Sequence, residues 1–485
     1  MTPLSPAVLA ELRAITGAEG VLSSPEQVCT YECDALTNMR AVPLAVLLPT
    51  STEQVQAILR VCHRERIPFV ARGSGTGLSG GALPLEHGVV ISLSRMNRVL
   101  EVDFDNARVV VEPGVINLDV TGRVAGRGFY YAPDPSSQSV CSIGGNVAEN
   151  SGGAHCLKYG FTTTHVLGLD VVLPNGDLIH LGSKTLDRPG YDLMGVFVGS
   201  EGTLGIATKV TLRIVKRPES VQCALAAFPT VSDASAAVSQ IIAAGILASA
   251  MEIMDTLAIQ AAEAAVHAGY PSCGGLLIVE LDGPVAEVDA ESVEVRKICD
   301  ANRGYEFRLA KSEAERGLIW KGRKAAFAAM GRIASNYIVQ DGVIPRTALP
   351  AVMRDIERLS AAAGLRVANV FHAGDGKLHP MVLYDRRIPG QQHEAEALSF
   401  KILELCVDNG GSITGEHGVG EEKKMMMSYM FSEPDLETMQ RVRCAFDPLQ
   451  LSNPTKVFPR PRMCGDRPGE YTPHPLEIAG KADRF

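Results

Sequence analysis

Tryptophan is almost missing from this chain. One Trp in 485 residues and an aromatic share of 5% leave no platform for stacking bases. A formal charge of -9 without a cluster of Lys and Arg argues further against a nucleic-acid partner, whose phosphates must be neutralised. The eleven cysteines stand singly, beginning with Cys29, Cys33, Cys62 and Cys141. With no CxxC pair and no CxxCxxC run they offer neither a zinc clip nor an iron-sulfur cluster, and they read as reduced thiols of a cytoplasmic protein. No apolar run reaches the roughly 20 residues of a membrane helix; the longest is the short Ala-rich stretch around 243–250. The opening MTPLSPA lacks a basic region before an apolar core, so neither a signal peptide nor direct membrane insertion is expected. Internal repeats and low-complexity segments are absent as well.

What is present is an ordinary globular composition, 46% hydrophobic and 21% charged, in a chain long enough to require two or more lobes. Thr50 or Ser51 can cap a helix whose apolar stripe is Val55, Ile58, Leu59 and Cys62. A short strand over 68–71 then runs into a glycine loop. Strands follow at 89–93, with hairpins predicted at Asp105-Asn106 and Asn175-Gly176. From about 219 the character changes. Residues 231–269 are Ala-rich and read as helical, and strands such as 276–281 then alternate with helices. The division expected is an N-terminal helical segment over 1–38, an α+β domain over 39–218, an α/β second domain over 219–420 and a C-terminal helical segment over 421–485 that returns to the first domain.

Two loops carry the chemistry of phosphate binding, in which successive backbone N-H groups need glycine wherever a side chain would block approach. Residues 72–81, RGSGTGLSGG, supply five glycines, the small hydroxyls of Ser74 and Thr76, and Arg72. Residues 133–153, PDPSSQSVCSIGGNVAENSGG, repeat paired glycines, small hydroxyls and Asn amides. No P-loop GKS/T occurs, and the first loop is read as distinct from the dinucleotide turn of a Rossmann domain, which is thereby disfavoured. Two long cradles imply a large, two-phosphate ligand.

A second constellation lies downstream. RVANVFHAGDGKLHPMVLY, 366–384, reads as two apolar strands joined by a tight Gly-Asp-Gly turn. Such a hairpin brings His372 and His379 across from each other, where they are either two ligands of a metal, with Glu416 as the third, or hydrogen-bonded residues at strand ends. His417 follows Glu416 directly and suits a general base. Because an acidic chain repels anions at long range, an anionic substrate would demand local positive charge. The candidate segment is Trp320-Lys-Gly-Arg-Lys-Ala-Ala-Phe327.

RGSGTGLSGGALP, DPSSQSVCSIGGNVAENSGG and GSEGTLGI (199–206) together resemble the FAD-binding domain of the vanillyl-alcohol-oxidase family of flavoproteins. FHAGDGKLHP and GSITGEHGVG resemble the metal-site segments of its FAD-linked 2-hydroxy-acid dehydrogenases, and the likeness, which runs from TYECDAL to LSNPTKVFP, is nearest to the glycolate oxidase family. The resemblance implies a two-part FAD-binding domain. In it Arg72, Gly73, Ser74, Gly75, Thr76, Gly77 and Ser79 meet FAD, together with Cys141, Ser142, Gly144, Gly145, Asn146, Glu149 and Asn150. Pro133, Asp134, Ser136, Ser137 and Gln138, with Glu201, Gly202, Gly205, Ile206 and Asn453, line the rest. The first loop has no His of the kind that attaches flavin covalently in many relatives, so FAD is expected to be non-covalent. His372, His379 and Glu416 are implied ligands of a divalent ion, zinc first, with manganese, iron or cobalt also suiting the set. Arg323 is implied at the substrate carboxylate. Dicarboxylate enzymes of the family carry Lys where this chain has Val339-Gln340 before Asp341, which points to a short monocarboxylate such as glycolate, with D-lactate or D-2-hydroxyglutarate as alternatives. A second flavin-type subunit and an iron-sulfur subunit are the implied partners, through which the chain could lie against the inner membrane. A metallohydrolase without redox cofactor and a non-catalytic flavin-bearing subunit are the competing classes.

Overall fold

A computed structural model describes residues 3–185 and 190–459; the expected C-terminal segment is therefore described as far as 459, and its remainder, 460–485, lies outside the described residues. The N-terminal helix Pro6–Thr16 packs on α1, Thr52–Glu65, whose Val55, Ile58, Leu59 and Cys62 are buried as one stripe. Ser51 is the cap, its Oγ accepting from Gln54 N at 3.3 Å. β1, Phe69–Arg72, pairs in parallel with Val89–Ser92, which pairs in parallel with Ala45–Leu47. Gly75, Gly77 and Gly80 do carry the G-x-G-x-x-G spacing of a dinucleotide turn, so spacing does not set this loop apart. The structure does: no helix follows, and residues 73–88 stay irregular until the next strand, where a Rossmann turn would open a helix.

A five-stranded antiparallel sheet follows, in the order Val99–Asp103, Arg108–Val111, Ile206–Arg213, Val166–Val172, Leu178–Gly182. Both predicted hairpins are in it. α2, Ile143–Glu149, packs its Ile143 and Val147 against this sheet.

Residues 220–384 build an eight-stranded sheet. Its members include β2, Ala250–Asp255, β3, Gly275–Gly283, β4, Asn336–Val339, β5, Val367–His372, and β6, Lys377–Tyr384. Every pairing in it is antiparallel, although strands and helices alternate along the chain. Both faces are covered. In the strand Ser220–Phe228, Ala224, Ala226 and Phe228 face one helical layer while Cys223, Leu225 and Ala227 face the other, as the two-residue period of a strand requires. That double burial makes the strands read as unbroken apolar runs. β2 lies inside the stretch expected to be helical, a difference with a simple cause: helices Val231–Ala243 and Thr256–Val266 flank it, and Ala-Met-Glu-Ile-Met has no period that separates a buried strand from a buried helix.

The two sheets meet through a polar seam. His155 places Nδ1 2.9 Å from Asp134 Oδ2 and Nε2 3.0 Å from Glu280 Oε1 on β3. Glu280 Oε2 also accepts from Arg316 Nε at 2.8 Å and from the lone tryptophan, Trp320 Nε1, at 2.6 Å. Both donors lie on α3, Glu313–Ala329. Burial disfavours the His155 imidazolium, but the two carboxylates outweigh it and raise its pKa to about 10. The chain then comes back. After the helix Glu433–Phe446, Leu451 O accepts from Phe69 N and Asn453 N donates to Phe69 O, both at 2.8 Å. Among the described residues nine cysteines are free thiols, whereas Cys444, on that last helix, departs from the expected reduced state and is disulfide-bonded. Among the described residues no helix is long and apolar enough to cross a membrane.

Candidate active site

The loop after β1 and the loop leading into α2 face each other across a cavity of about 390 Å³. A Cβ on Gly73 would lie 2.1 Å from Ser142 Oγ, so the loops approach this closely only because residue 73 has no side chain. Arg72 supports the first loop from beneath. Its Nη1 donates to Cys33 O at 2.8 Å and its guanidinium lies 5.6 Å from the centre of the Tyr31 ring. Most of the residues expected at the cofactor line this cavity, from Arg72 to Gly77 through Ser136, Ser137 and Cys141 to Asn146, Glu149, Glu201 and Ile206.

Six expected residues, Ser79, Pro133, Asp134, Gln138, Asn150 and Asn453, do not line it, and five of them brace it in identifiable ways. Asn453 Nδ2 donates to Gly81 O at 2.8 Å and to Glu201 O at 2.7 Å, tying two loops together. Ser79 O accepts from Glu421 N and Glu422 N. Asn150 Oδ1 accepts from Thr163 N, Pro133 O accepts from Asn117 Nδ2, and Asp134 belongs to the His155 seam.

At its other end the cavity is lined by Lys324, Phe327, His379, Glu416 and His417. β5 and β6 pair so that His372 is opposite Lys377 and His379 opposite Val370. The two histidines are thus diagonal neighbours on one face, their ring centres 5.0 Å apart. Nitrogens of both rings and an oxygen of Glu416 lie within 4.8 Å of one another. His372 Nε2 is 3.2 Å, and His379 Nε2 3.5 Å, from Glu416 Oε1. His417 stacks on His379 at 4.9 Å between ring centres.

The Glu416 loop is shaped by Asp341, just beyond β4, whose Oδ2 accepts from Thr414 Oγ1 and from the backbone N-H of Gly415, Glu416 and His417 at 2.7–2.9 Å. One carboxylate oxygen therefore fixes four consecutive residues, two of them candidates for chemistry. Burial raises the Asp341 carboxyl, yet His417, His379 and Lys423 hold it well below the usual range.

Two family models match the chain, "FAD binding domain" over residues 43–182 and "FAD linked oxidases, C-terminal domain" over 217–457. Glycolate oxidase subunit GlcD of Escherichia coli K12 is 49% identical over 460 residues, covering 95% of this chain and 92% of that one. The GlcD of Bacillus subtilis is 37% identical, covering 92% and 96%. D-lactate dehydrogenase of Anaerostipes hadrus is 31% identical, covering 86% and 90%. The chain belongs to the FAD-linked oxidase family. Its fold is that of the vanillyl-alcohol-oxidase type, as p-cresol methylhydroxylase shows with a TM-score of 0.79 at 18% identity, covering 93% of this chain and 96% of that one.

As a member of this family the chain is an FAD-binding oxidoreductase, and its glycine cradles fit that cofactor. The His/Glu cluster fits a divalent ion on its own chemistry. His372 Nδ1 is 2.6 Å from Glu252 Oε1, the carboxylate-imidazole arrangement that turns the other ring nitrogen, Nε2, toward a metal. Glu252 stands directly opposite His372 across β2 and β5. Burial works to raise the Glu416 carboxyl, but Lys377 and His372 hold it well below its usual range. Lys377 Nζ is 2.9 Å from Glu416 Oε2, leaving Oε1 to face the two histidines. Burial brings His417 down to about 4, so its ring is neutral near pH 7. Arg323, expected at a substrate carboxylate, is buried and directs Nε and Nη2 at Glu252 Oε2, 2.7 and 2.5 Å away; it does not line the cavity. Val339 and Gln340 do not line it either, and Gln340 Nε2 reaches Glu422 Oε1 at 3.4 Å.

Sequence reading missed Glu252, Lys377 and Gly152. Glu252 was hidden in the stretch taken as helical. Lys377 lies two residues before His379, and the two-residue period of a strand puts it on the same face, a signal the pattern carried. Gly152 belongs to the second glycine loop, yet its missing side chain makes room for Glu416 rather than for the cofactor.

Proposed function

We propose that this chain oxidises a short 2-hydroxy acid, glycolate or D-lactate, to the 2-oxo acid. The observation that carries the reading is one cavity with glycine cradles at one end and His379, Glu416 and His417 at the other. Bound FAD supplies the hydride acceptor, and a divalent ion, zinc first, supplies a Lewis acid that makes the substrate hydroxyl more acidic. His372, His379 and Glu416 would hold the ion. His417, neutral and packed on His379, takes the hydroxyl proton. Glu252 fixes the His372 ring, and Arg323 fixes Glu252, which makes Arg323 a positioning residue.

The substrate class is supported by the relatives named as glycolate oxidase subunits and D-lactate dehydrogenases. Two of these relatives are named as subunits, and this sequence has no iron-sulfur cysteine run. Both facts support reoxidation through a second flavin-type subunit and an iron-sulfur subunit, with any membrane association made through them. The flavin is held without a covalent bond, so acid precipitation releases its colour into the supernatant. The deciding experiment is anaerobic addition of D- and L-2-hydroxy acids to the metal-replete flavoprotein. Bleaching by glycolate or D-lactate is expected; a flavin that keeps its absorbance against the whole panel refutes the activity and leaves a non-catalytic flavin-bearing chain.

A further inference from the structure

We propose that Lys324 is the cation that meets the substrate carboxylate and so selects 2-hydroxy acids over uncharged alcohols. The proposal rests on reading the site as a 2-hydroxy-acid oxidising centre. An acidic chain must gather positive charge locally to hold an anion. Among the described residues lining the cavity, the lysine and arginine side chains are Arg72 and Lys324. Arg72 belongs to the cradle end, where its guanidinium is occupied by Cys33 O.

Neighbouring residues of a helix point about 100° apart, so Arg323 and Lys324 of α3 serve different sides. Arg323 turns to Glu252. Lys324 shares its side with Phe327 and Ala328, three and four residues on, and all three line the cavity. Phe327 in turn lies 5.7 Å, ring centre to ring centre, from His379. The Lys324 ammonium is loosely held. Its nearest acid, Asp134, is 4.0 Å away and already 2.9 Å from His155 Nδ1. The side chain keeps 33% of its surface exposed, so it can swing toward an arriving carboxylate at small cost. A carboxylate with one oxygen turned to the His/Glu cluster has its second oxygen free to accept from this ammonium.

The test uses the full-length flavoprotein with Lys324→Met and Lys324→Arg. Three affinities are read: glycolate, from the concentration dependence of anaerobic flavin bleaching; oxalate, from its perturbation of the flavin spectrum without turnover; and uncharged glycolamide, by the same perturbation. Losing one hydrogen bond to a charged group weakens binding by about 10-fold or more. Lys324→Met should therefore weaken glycolate and oxalate by about that factor, leave glycolamide unchanged and keep the limiting bleaching rate, while Lys324→Arg restores most of the affinity. Parent-like affinity for both anions in Lys324→Met overturns the proposal. So does loss of FAD from that variant, which would assign the lysine to the cofactor. If the parent itself is bleached by no 2-hydroxy acid, the functional reading fails and this inference falls with it; a bleached parent with an unaltered variant sinks Lys324 alone.

Discussion

Gly152 offers a way to move a candidate metal ligand without touching any ligand. Its backbone is not in the left-handed region, so alanine is conformationally acceptable there. A Cβ added at 152 would lie 2.3 Å from Glu416 Oε2, 2.8 Å from Lys377 Nζ and 3.1 Å from Cys156 Sγ. An ordinary contact is about 3.4 Å or more, so the Glu416 carboxylate must retreat by about 1 Å, and Lys377, fully buried beside it, cannot easily follow. Overpacking of this kind costs about 1–3 kcal/mol, while metal-ligand distances tolerate only about 0.2 Å. If the carboxylate yields, the cost appears as metal affinity, about 10- to 100-fold at 1.4 kcal/mol per decade. The assay is competition with a chelator, followed by metal analysis, on Gly152→Ala and on Gly122→Ala, whose added Cβ meets nothing within 4 Å. The expected result is weakened metal binding in Gly152→Ala with FAD retained, and parent behaviour in the control. Parent metal affinity in Gly152→Ala, with or without a lowered melting temperature, refutes the reasoning, because the strain would then have gone elsewhere than Glu416.

Two further outcomes are expected. His417→Ala should keep FAD and metal but slow anaerobic bleaching by about 10²-fold or more, the usual worth of a general base; bleaching at the parent rate removes His417 from the chemistry. His155 concerns stability. Its folded pKa, about 10, lies above its ordinary 6.5, so its contribution is complete below about pH 6.5 and is lost as pH rises through 10. His155→Gln, which leaves Asp134 and Glu280 short of a partner, should lower stability by about 2–3 kcal/mol near pH 6. The gap in melting temperature to the parent should close toward pH 10, and a constant gap contradicts the assignment of charge to this ring.

What could be read from the sequence was what local pattern controls. The Ser51 cap, the stripe of α1 and the hairpins at 105–106 and 175–176 all depend on residues within a few positions of one another, and the structure places them as expected. The hairpin that carries His372 and His379 was legible too, but its register was not: expected across from each other, the two are diagonal neighbours, with His372 opposite Lys377 and His379 opposite Val370. Glu252 was not. It meets His372 across a pairing 120 residues apart, and nothing near Glu252 announces a partner so distant. Arg323 shows a subtler limit: resemblance supplied a position, but which of two adjacent cations faces the cavity depends on how α3 is rotated, and that is set by burial of Ile319, Ala326 and Ala329 on the far side.

The Asn453 amide joins carbonyls 372 and 252 residues earlier in the chain. A nascent chain that has already released all of 1–218 from the ribosome therefore has the strands of the cradle and both glycine loops, but not the clasp that holds residue 81 against residue 201. The clasp between the two loops is closed only after more than nine tenths of the chain has been made.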